Sequence, residues 1–313
     1  MCPVKDRAKM PVSGVKYSGL TLIEFIVAIV VSSIIAIGTV SFIGDSAEGY
    51  QSSSNRNQLA SAGRVAISRL MMELHNALPN SIRVTAAVGG DQCIEMVPVR
   101  SSTTYVNPPF RGAGGTSFDV IDFNPTQQGT AEGYAVIYPR LPSDLYDGNN
   151  GAPAGWPNFP SVGPIEAIDP LVGIVASTSA DQSTITLSKN HRYDRRSPSE
   201  RFFLVEDPVS FCIKGDKLYR YTNYGFFDTQ TSVEELAGVC EVAAGDRCLP
   251  NYSSAPDKML ITDNIDNATD AITAFEITSQ SLTRNSLVSI TLNFSRDGDD
   301  VRMDHEVMSR SVP

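Results

Sequence analysis

The hydrophobic pattern divides the chain into three stretches with different periods. From Leu20 to Ile43 the residues are apolar or small, and Glu24 is the only charge. A helix needs about 20 apolar residues to cross the hydrocarbon core of a bilayer, so this stretch is long enough to span one. From Gly44 to Leu78 the apolar positions thin to a stripe of Leu59, Val65, Ile67, Leu70, Met71, Leu74 and Leu78, with Arg56, Arg64, Arg69 and Glu73 between them. That spacing is amphipathic at the helical period. Pro79 stops it, and Ala77-Leu78-Pro79-Asn80 reads as an exit turn. Together the two stretches predict one helix over 20–79, transmembrane over about 20–43 and roughly 90 Å long at 1.5 Å per residue. Gly38, Gly44, Gly49 and Gly63 each cost about 1 kcal/mol relative to alanine, so a bend or local melting is expected at Gly44–Ser54.

Beyond residue 80 the period changes to that of strands. Short alternating runs, Ser81–Val88, Cys93–Val99, Ser117–Phe123, Tyr134–Tyr138, Thr184–Lys189 and Phe202–Glu206, are separated by Gly, Pro and Asn clusters. Two hairpins stand out. Val209–Ile213 turns at Lys214-Gly215-Asp216 into Lys217–Thr222, and Leu287–Ser295 turns at Asp297-Gly298-Asp299 into Val301–Ser309. Pro139 to Pro170 lacks periodicity and reads as a long surface loop holding the single tryptophan, Trp156. The fold class is therefore α+β: a long N-terminal helix packed on a β-rich domain over 80–313 with antiparallel sheets. Such a length suits one domain with large loops or a sandwich with an elaborated insert.

Charge orients the span. Lys5, Arg7, Lys9 and Lys16 outnumber Asp6 ahead of it, so the positive-inside rule keeps the N-terminus cytoplasmic and exports the chain beyond Ile43. The apolar run is too long for an ordinary secretory signal, and no small-x-small site comes after it. A carboxylate inside a membrane costs about 2.5–3.5 kcal/mol on insertion scales, so a chain that keeps Glu24 there has a use for it.

The stretch Gly19-Leu20-Thr21-Leu22-Ile23-Glu24-Phe25 resembles the processing site of type IV prepilins and pseudopilins. The resemblance implies a leader over 1–19, cleavage after Gly19 by a membrane-embedded prepilin peptidase, and methylation of the new N-terminus at Leu20, where the usual residue is Phe. It also implies that Glu24 pairs with the N-terminus of a neighbouring subunit during assembly. Such a pair gains far more Coulomb attraction in low dielectric than in water and offsets the burial cost of both charges.

Further blocks narrow the resemblance. Ala77-Leu78-Pro79-Asn80-Ser81-Ile82-Arg83, the segment His191-Arg192-Tyr193 through Ser197-Pro198 and Arg201-Phe202-Phe203-Leu204-Val205 to Pro208-Val209-Ser210-Phe211-Cys212, and His305-Glu306-Val307 are similar to the family of biogenesis protein O of mannose-sensitive haemagglutinin (MSHA) pili. Large minor pilins and the J-type pseudopilin of type II secretion share that architecture and remain alternatives. The resemblance implies a pilin-like fold and a minor subunit at the start or tip of a pilus. Its implied partners are other minor and major pilins, the peptidase and the inner-membrane assembly platform. The domain would lie in the periplasm and then at the cell surface.

Cysteine usage fits export. Cys2 falls in the leader, leaving Cys93, Cys212, Cys240 and Cys248, which allow three pairings in an oxidising compartment. The expected ones are Cys240–Cys248, closing a short loop, and Cys93–Cys212, joining two strands. No Cys-x-x-Cys is present and histidine is scarce, so no metal site is expected.

The chain carries −10, and losing residues 1–19 removes four basic residues and one acid to leave −13. Such a surface repels nucleic acid. The one basic cluster, His191-Arg192-Tyr193-Asp194-Arg195-Arg196, reads as a solvated loop, with contact to an acidic pilin as its functional version. Asp144, Asp147, Asn149 and Asn150, and Asp297, Asp299 and Asp300, form two acidic loops, but neither fits the calcium-loop pattern, and turns favour these residues for backbone reasons. No nucleophile elbow, phosphate loop or paired zinc histidines occur, so neither enzyme activity nor a cofactor is expected. The other class of function to weigh is a membrane-anchored periplasmic enzyme, or a carbohydrate-binding protein acting through Trp156 and nearby tyrosines.

Overall fold

The computed structural model of the chain describes residues 19, 21–121, 129–131, 133–146, 162–163, 172–176, 182–224, 226, 230, 257–278 and 287–308. Trp156, Cys240, Cys248, Leu20 and residues 1–18 lie outside them. The chain forms two compact units, Met1–Ser54 and Asn55–Pro313. One helix, α1 (Leu22–His75), contributes to both. It is followed by β1 (Arg83–Val84), β2 (Gln92–Met96), β3 (Val99–Thr104), β4 (Gly115–Ile121), β5 (Gly129–Ala131), β6 (Tyr134–Val136), α2 (Ser143–Tyr146), β7 (Val162–Gly163), β8 (Val172–Ala176) and β9 (Gln182–His191). The remaining strands are β10 (Arg201–Val205), β11 (Val209–Lys214), β12 (Lys217–Thr222), β13 (Asp257–Thr262), β14 (Phe275–Thr278), β15 (Leu287–Arg296) and β16 (Asp299–Met308).

In the first unit α1 is long and apolar enough to cross a membrane, and none of the residues in its apolar window is buried. Hydroxyls within it are satisfied locally, with Ser33 Oγ donating to the Ile29 carbonyl and Thr39 Oγ1 to the Ile35 carbonyl, both at 2.7 Å. That arrangement suits a helix whose surroundings offer no water. The expected melting at Gly44–Ser54 is absent, and the segment is helical throughout. Glycine propensity is a weak term per residue, and it is outweighed by the helical turns on either side.

In the second unit α1 buries Asn55, Leu59, Gly63, Ala66, Ile67, Leu70 and Leu74. These positions recur every three or four residues and so fall on one face. They pack on Ile94, Met96, Phe211 and Ile213 of one sheet and on Val288, Ile290, Leu292 and Phe294 of another. Each fully buried aliphatic side chain contributes about 1.5–3 kcal/mol. The first sheet has the order β1-β2-β11-β12-β13, the second β14-β15-β16. Gln92 ties them together, because its buried carboxamide donates to the Phe275 carbonyl and accepts the Phe275 N–H, both at 2.9 Å. At Gly63 an added Cβ would stand 2.6 Å from Met303 Sδ and 2.8 Å from Phe294 Cε2, so glycine is what lets the sheet approach the helix. Arg220 on β12 donates to both carboxylate oxygens of Glu73, at 2.9 and 3.2 Å, and fixes the end of the helix.

α1 ends at His75, four residues ahead of Pro79. Residues 76–78 leave the helix to pair with 97–99: the Leu78 N–H donates to the Val97 carbonyl at 2.7 Å and the Val99 N–H to the Asn76 carbonyl at 2.9 Å. The hairpin turns obey their residues. Asp297 and Gly298 both take positive φ, 52° and 84°, as a type I′ turn demands.

Between β2 and β11 the chain inserts two further antiparallel sheets, β3-β10-β6-β7 and β4-β9-β8-β5. They close over a second core rich in aromatic residues, among them Phe118, Tyr193, Phe202, Tyr146 and Phe226. The expected surface loop from Pro139 begins differently: α2 carries Leu145 and Tyr146 into this core, and the Tyr146 hydroxyl donates to the Ser81 carbonyl at 3.0 Å.

Candidate functional site

The N-terminal turn of α1 is built by Thr21. Its Oγ1 accepts the Glu24 N–H at 3.4 Å, and its carbonyl accepts the Phe25 N–H at 3.2 Å. This is an N-cap satisfying one of the orphan donors of the first turn. Thr21-Leu22-Ile23-Glu24 has the spacing of a capping box, a signal that is legible in the sequence but hidden inside an apolar run. Glu24 is exposed in the first turn, and among the described residues its carboxylate has no hydrogen bond or ion pair. Its immediate neighbours Leu22, Ile23 and Phe25 are exposed apolar side chains. Gly19 lies outside the helix with nothing near its Cβ position. The arrangement therefore presents a carboxylate with no partner among the described residues on an apolar helix, five positions after a glycine in non-helical backbone. Chemically it can take a cation.

Cys93 and Cys212 form a disulfide, with their Cα atoms 4.1 Å apart and a sequence separation of 119. They are direct partners in the β2/β11 register. The Cys93 N–H and carbonyl are both engaged by Thr85 on the other side of β2. The two cysteines thus form a non-hydrogen-bonded pair, the position at which facing Cα atoms come closest. On the same face, Glu95 is buried and paired with Arg83, and it accepts the Tyr224 hydroxyl at 3.0 Å, which in turn lies 2.6 Å from Ser210 Oγ. The Arg83 guanidinium lies 3.7 Å from the centroid of the Tyr146 ring. Burial raises the Glu95 pKa against the pull of Arg83. Every polar member of this cluster has a partner, as a structural network requires.

The basic cluster is a solvated loop only in part: Asp194 and Arg196 are exposed, whereas its His191 and Tyr193 are taken into the core. His191 and Tyr193 are buried, with ring centroids 4.6 Å apart. Arg195 pairs with Asp144 at 3.6 Å, and Arg196 lies over the Phe110 ring at 5.1 Å. Among the described residues neither nitrogen of His191 has a partner, and burial lowers its pKa from 6.5 to about 4. Of the two acidic loops, Asp144 accepts the Arg140 and Leu141 N–H groups at 2.9 and 3.2 Å and so acts as a cap. Asp147, Asn149 and Asn150 lie outside the described residues. Asp299 pairs with Arg56 at 3.4 Å. Among the described residues no three of His, Cys, Asp and Glu converge as a metal would require.

Fold and site together define an α+β protein with, among the described residues, one span-length apolar helix and a disulfide-stapled domain of antiparallel sheets. Comparison of the chain with protein-family models, curated proteins and solved structures finds no match to any of them.

Proposed function

We propose that this chain is a minor pilin-like subunit, made as a precursor, cut after Gly19 and methylated at Leu20 in the inner membrane, and used to start or cap a type IV pilus of the MSHA kind. One observation carries the reading: Glu24 is an unpartnered carboxylate in the first turn of an exposed, span-length apolar helix that begins just after Gly19. The α-amine freed at Leu20 in a neighbouring subunit is the cation that suits it, since the pair neutralises both charges where water is scarce. The domain then stands in the periplasm, an oxidising compartment in which the Cys93–Cys212 disulfide persists. Bulk supports the minor role, because a domain of more than about 200 residues is large for every position of a helical filament.

The test is the mass of the N-terminal peptide from cells with and without the prepilin peptidase. A peptide beginning at methylated Leu20 that vanishes with the peptidase is expected. An uncut N-terminus in both strains overturns the reading and leaves an anchored carbohydrate-binding protein or enzyme.

A further inference from the structure

Each sheet of the second unit ends in two edge strands, and an unpaired edge invites pairing with another chain unless it is short, covered or charged. Among the described residues every edge but one is protected in one of these ways. β1 and β7 have two residues and β5 three. β3 and β4 face one another through the Tyr105–Val120 bridge and the Thr103 hydroxyl, which donates to the Ile121 carbonyl at 2.9 Å. β14 is covered by the Gln92 carboxamide at Phe275. β16 is exposed, but Asp300, Arg302, Asp304 and Glu306 alternate along it. β13 has six residues, no proline and, among the described residues, no strand on its far side. Its Met259 and Leu260 are 46% and 51% exposed. Met259 stands opposite Arg220, which holds Glu73 of α1, and Leu260 opposite Tyr219, which packs on the Cys93–Cys212 side, so the two lie on opposite faces of the sheet. The charges of β12 and β13 are already engaged: Lys217 with Asp216 at 3.2 Å, Arg220 with Glu73 at 2.9 Å, Lys258 over the Tyr219 ring at 3.9 Å, and Asp257 with Asn223. Asp263, just past β13, accepts the Asn264 carboxamide at 2.6 Å. The edge thus offers backbone flanked by one apolar side chain on each face.

We propose that β13 is a docking edge for one uncharged strand of a different exported subunit, which extends the sheet β1-β2-β11-β12-β13 by one strand. Backbone hydrogen bonds supply the affinity of such an addition, and the side chains on alternate faces supply its specificity. Met259 and Leu260 call for apolar partners on both faces. A charge brought beside them would find no free counter-charge on β12 or β13 and would be left unpaired. The class of partner rests on the minor-subunit reading: it is another subunit that carries the same kind of cleavage motif. A second copy does not suit the edge. Pairing β13 antiparallel with itself turns residues 55–75 of α1 end for end, against anchorage in one membrane, and a subunit used at the start or tip has no copy of itself alongside. The contact joins two unlike chains and does not propagate.

The test uses full-length chains in their own membranes, with a light-activated benzophenone side chain at Met259 in one chain, at Leu260 in another, and at the 72% exposed Val88 as a control. Because Met259 and Leu260 lie on opposite faces, a strand running along the edge is within reach of both. The expected result is that both positions capture the same peptide of one other subunit bearing the cleavage motif, and that Val88 does not. Leu260→Lys in the first chain and Met259→Lys in the second guard the edge and lower the yield about tenfold. Capture from one face only, capture of a second copy or of a protein without the motif, no adduct from either position, or a yield indifferent to both lysines overturns the proposal. The mass of the N-terminal peptide in the same samples separates this inference from the reading beneath it. A start at Leu20 without adducts fails the docking edge alone, and adducts from an uncut chain fail the processing alone. Retention of the Cys93–Cys212 disulfide in each variant shows that the domain has folded.

Discussion

The two units are held in shape by different forces. Residues 22–51 of α1 bury no side chain, whereas residues 55–75 of the same helix bury seven positions. The first unit holds its shape through backbone hydrogen bonds and local hydroxyls. The second holds its shape through side-chain packing on two sheets. A continuous helix can thus have one half whose stability depends on its surroundings and another half that carries its own core. Substitutions that matter in one unit should be silent in the other.

The largest separation is expected from the disulfide. Cys93→Ala with Cys212→Ala opens a link spanning 119 positions, and on chain-entropy grounds this costs the second unit about 4–5 kcal/mol. Urea titration followed by tyrosine fluorescence reads the loss, while helicity of the first unit in micelles stays unchanged. Acid comes next. His191 is buried neutral, with a pKa of about 4 against its ordinary 6.5. Its contribution is complete above pH 6.5 and is lost as pH falls toward 4, for a total of about 3 kcal/mol. Glu95 works the other way, because its raised pKa means that protonation favours the folded form. The wild-type acid slope is therefore a difference, and His191→Leu, which removes the histidine share, should leave the domain less acid-sensitive.

Glycine gives a smaller and more direct contrast. Gly63→Ala forces a methyl group against Phe294 and Met303 and should cost the second unit about 1–3 kcal/mol. Gly44→Ala meets nothing within 4 Å and should stabilise helix by about 0.5–1 kcal/mol. Equal effects of the two on the urea midpoint would mean that the halves of α1 are not differently supported.

How much could be read from the chain depends on the strength of each periodic signal. The apolar span and most of the Leu59–Leu74 stripe were legible because both keep a helical pattern over many turns, but Val65, read into the stripe, is 65% exposed on the other face of the helix. The β15/β16 hairpin was legible through Asp297-Gly298. β13 was not, since Asp257 to Leu260 are all exposed on an edge strand and no alternation marks them. Leu145 and Tyr146 were hidden in a stretch of turn residues, though Asp144 was there to cap them. The Arg83–Glu95 pair depends on the β1/β2 register, which composition does not reveal. Glu24 stood out as a charge in an apolar run, whereas His191 was masked by basic neighbours and only the fold shows that it is buried.

The smallest effect bears most directly on the proposed assembly role of Glu24. Thr21→Val keeps the shape of the side chain but removes the oxygen that accepts the Glu24 N–H, a loss of about 1 kcal/mol. Amide exchange at Glu24 in micelles should quicken about fivefold, Thr21→Ser should restore protection, and the urea midpoint of the second unit should not move. Glu24→Gln supplies the complementary measurement. If the Glu24 carboxylate were engaged in the cap, its neutralisation would loosen the first turn as much as Thr21→Val does. If it is free, as its lack of partners indicates, Glu24→Gln leaves exchange in the first turn within about twofold, because only the modest attraction to the helix dipole is lost. Any defect of Glu24→Gln in assembly then belongs to a contact outside its own helix.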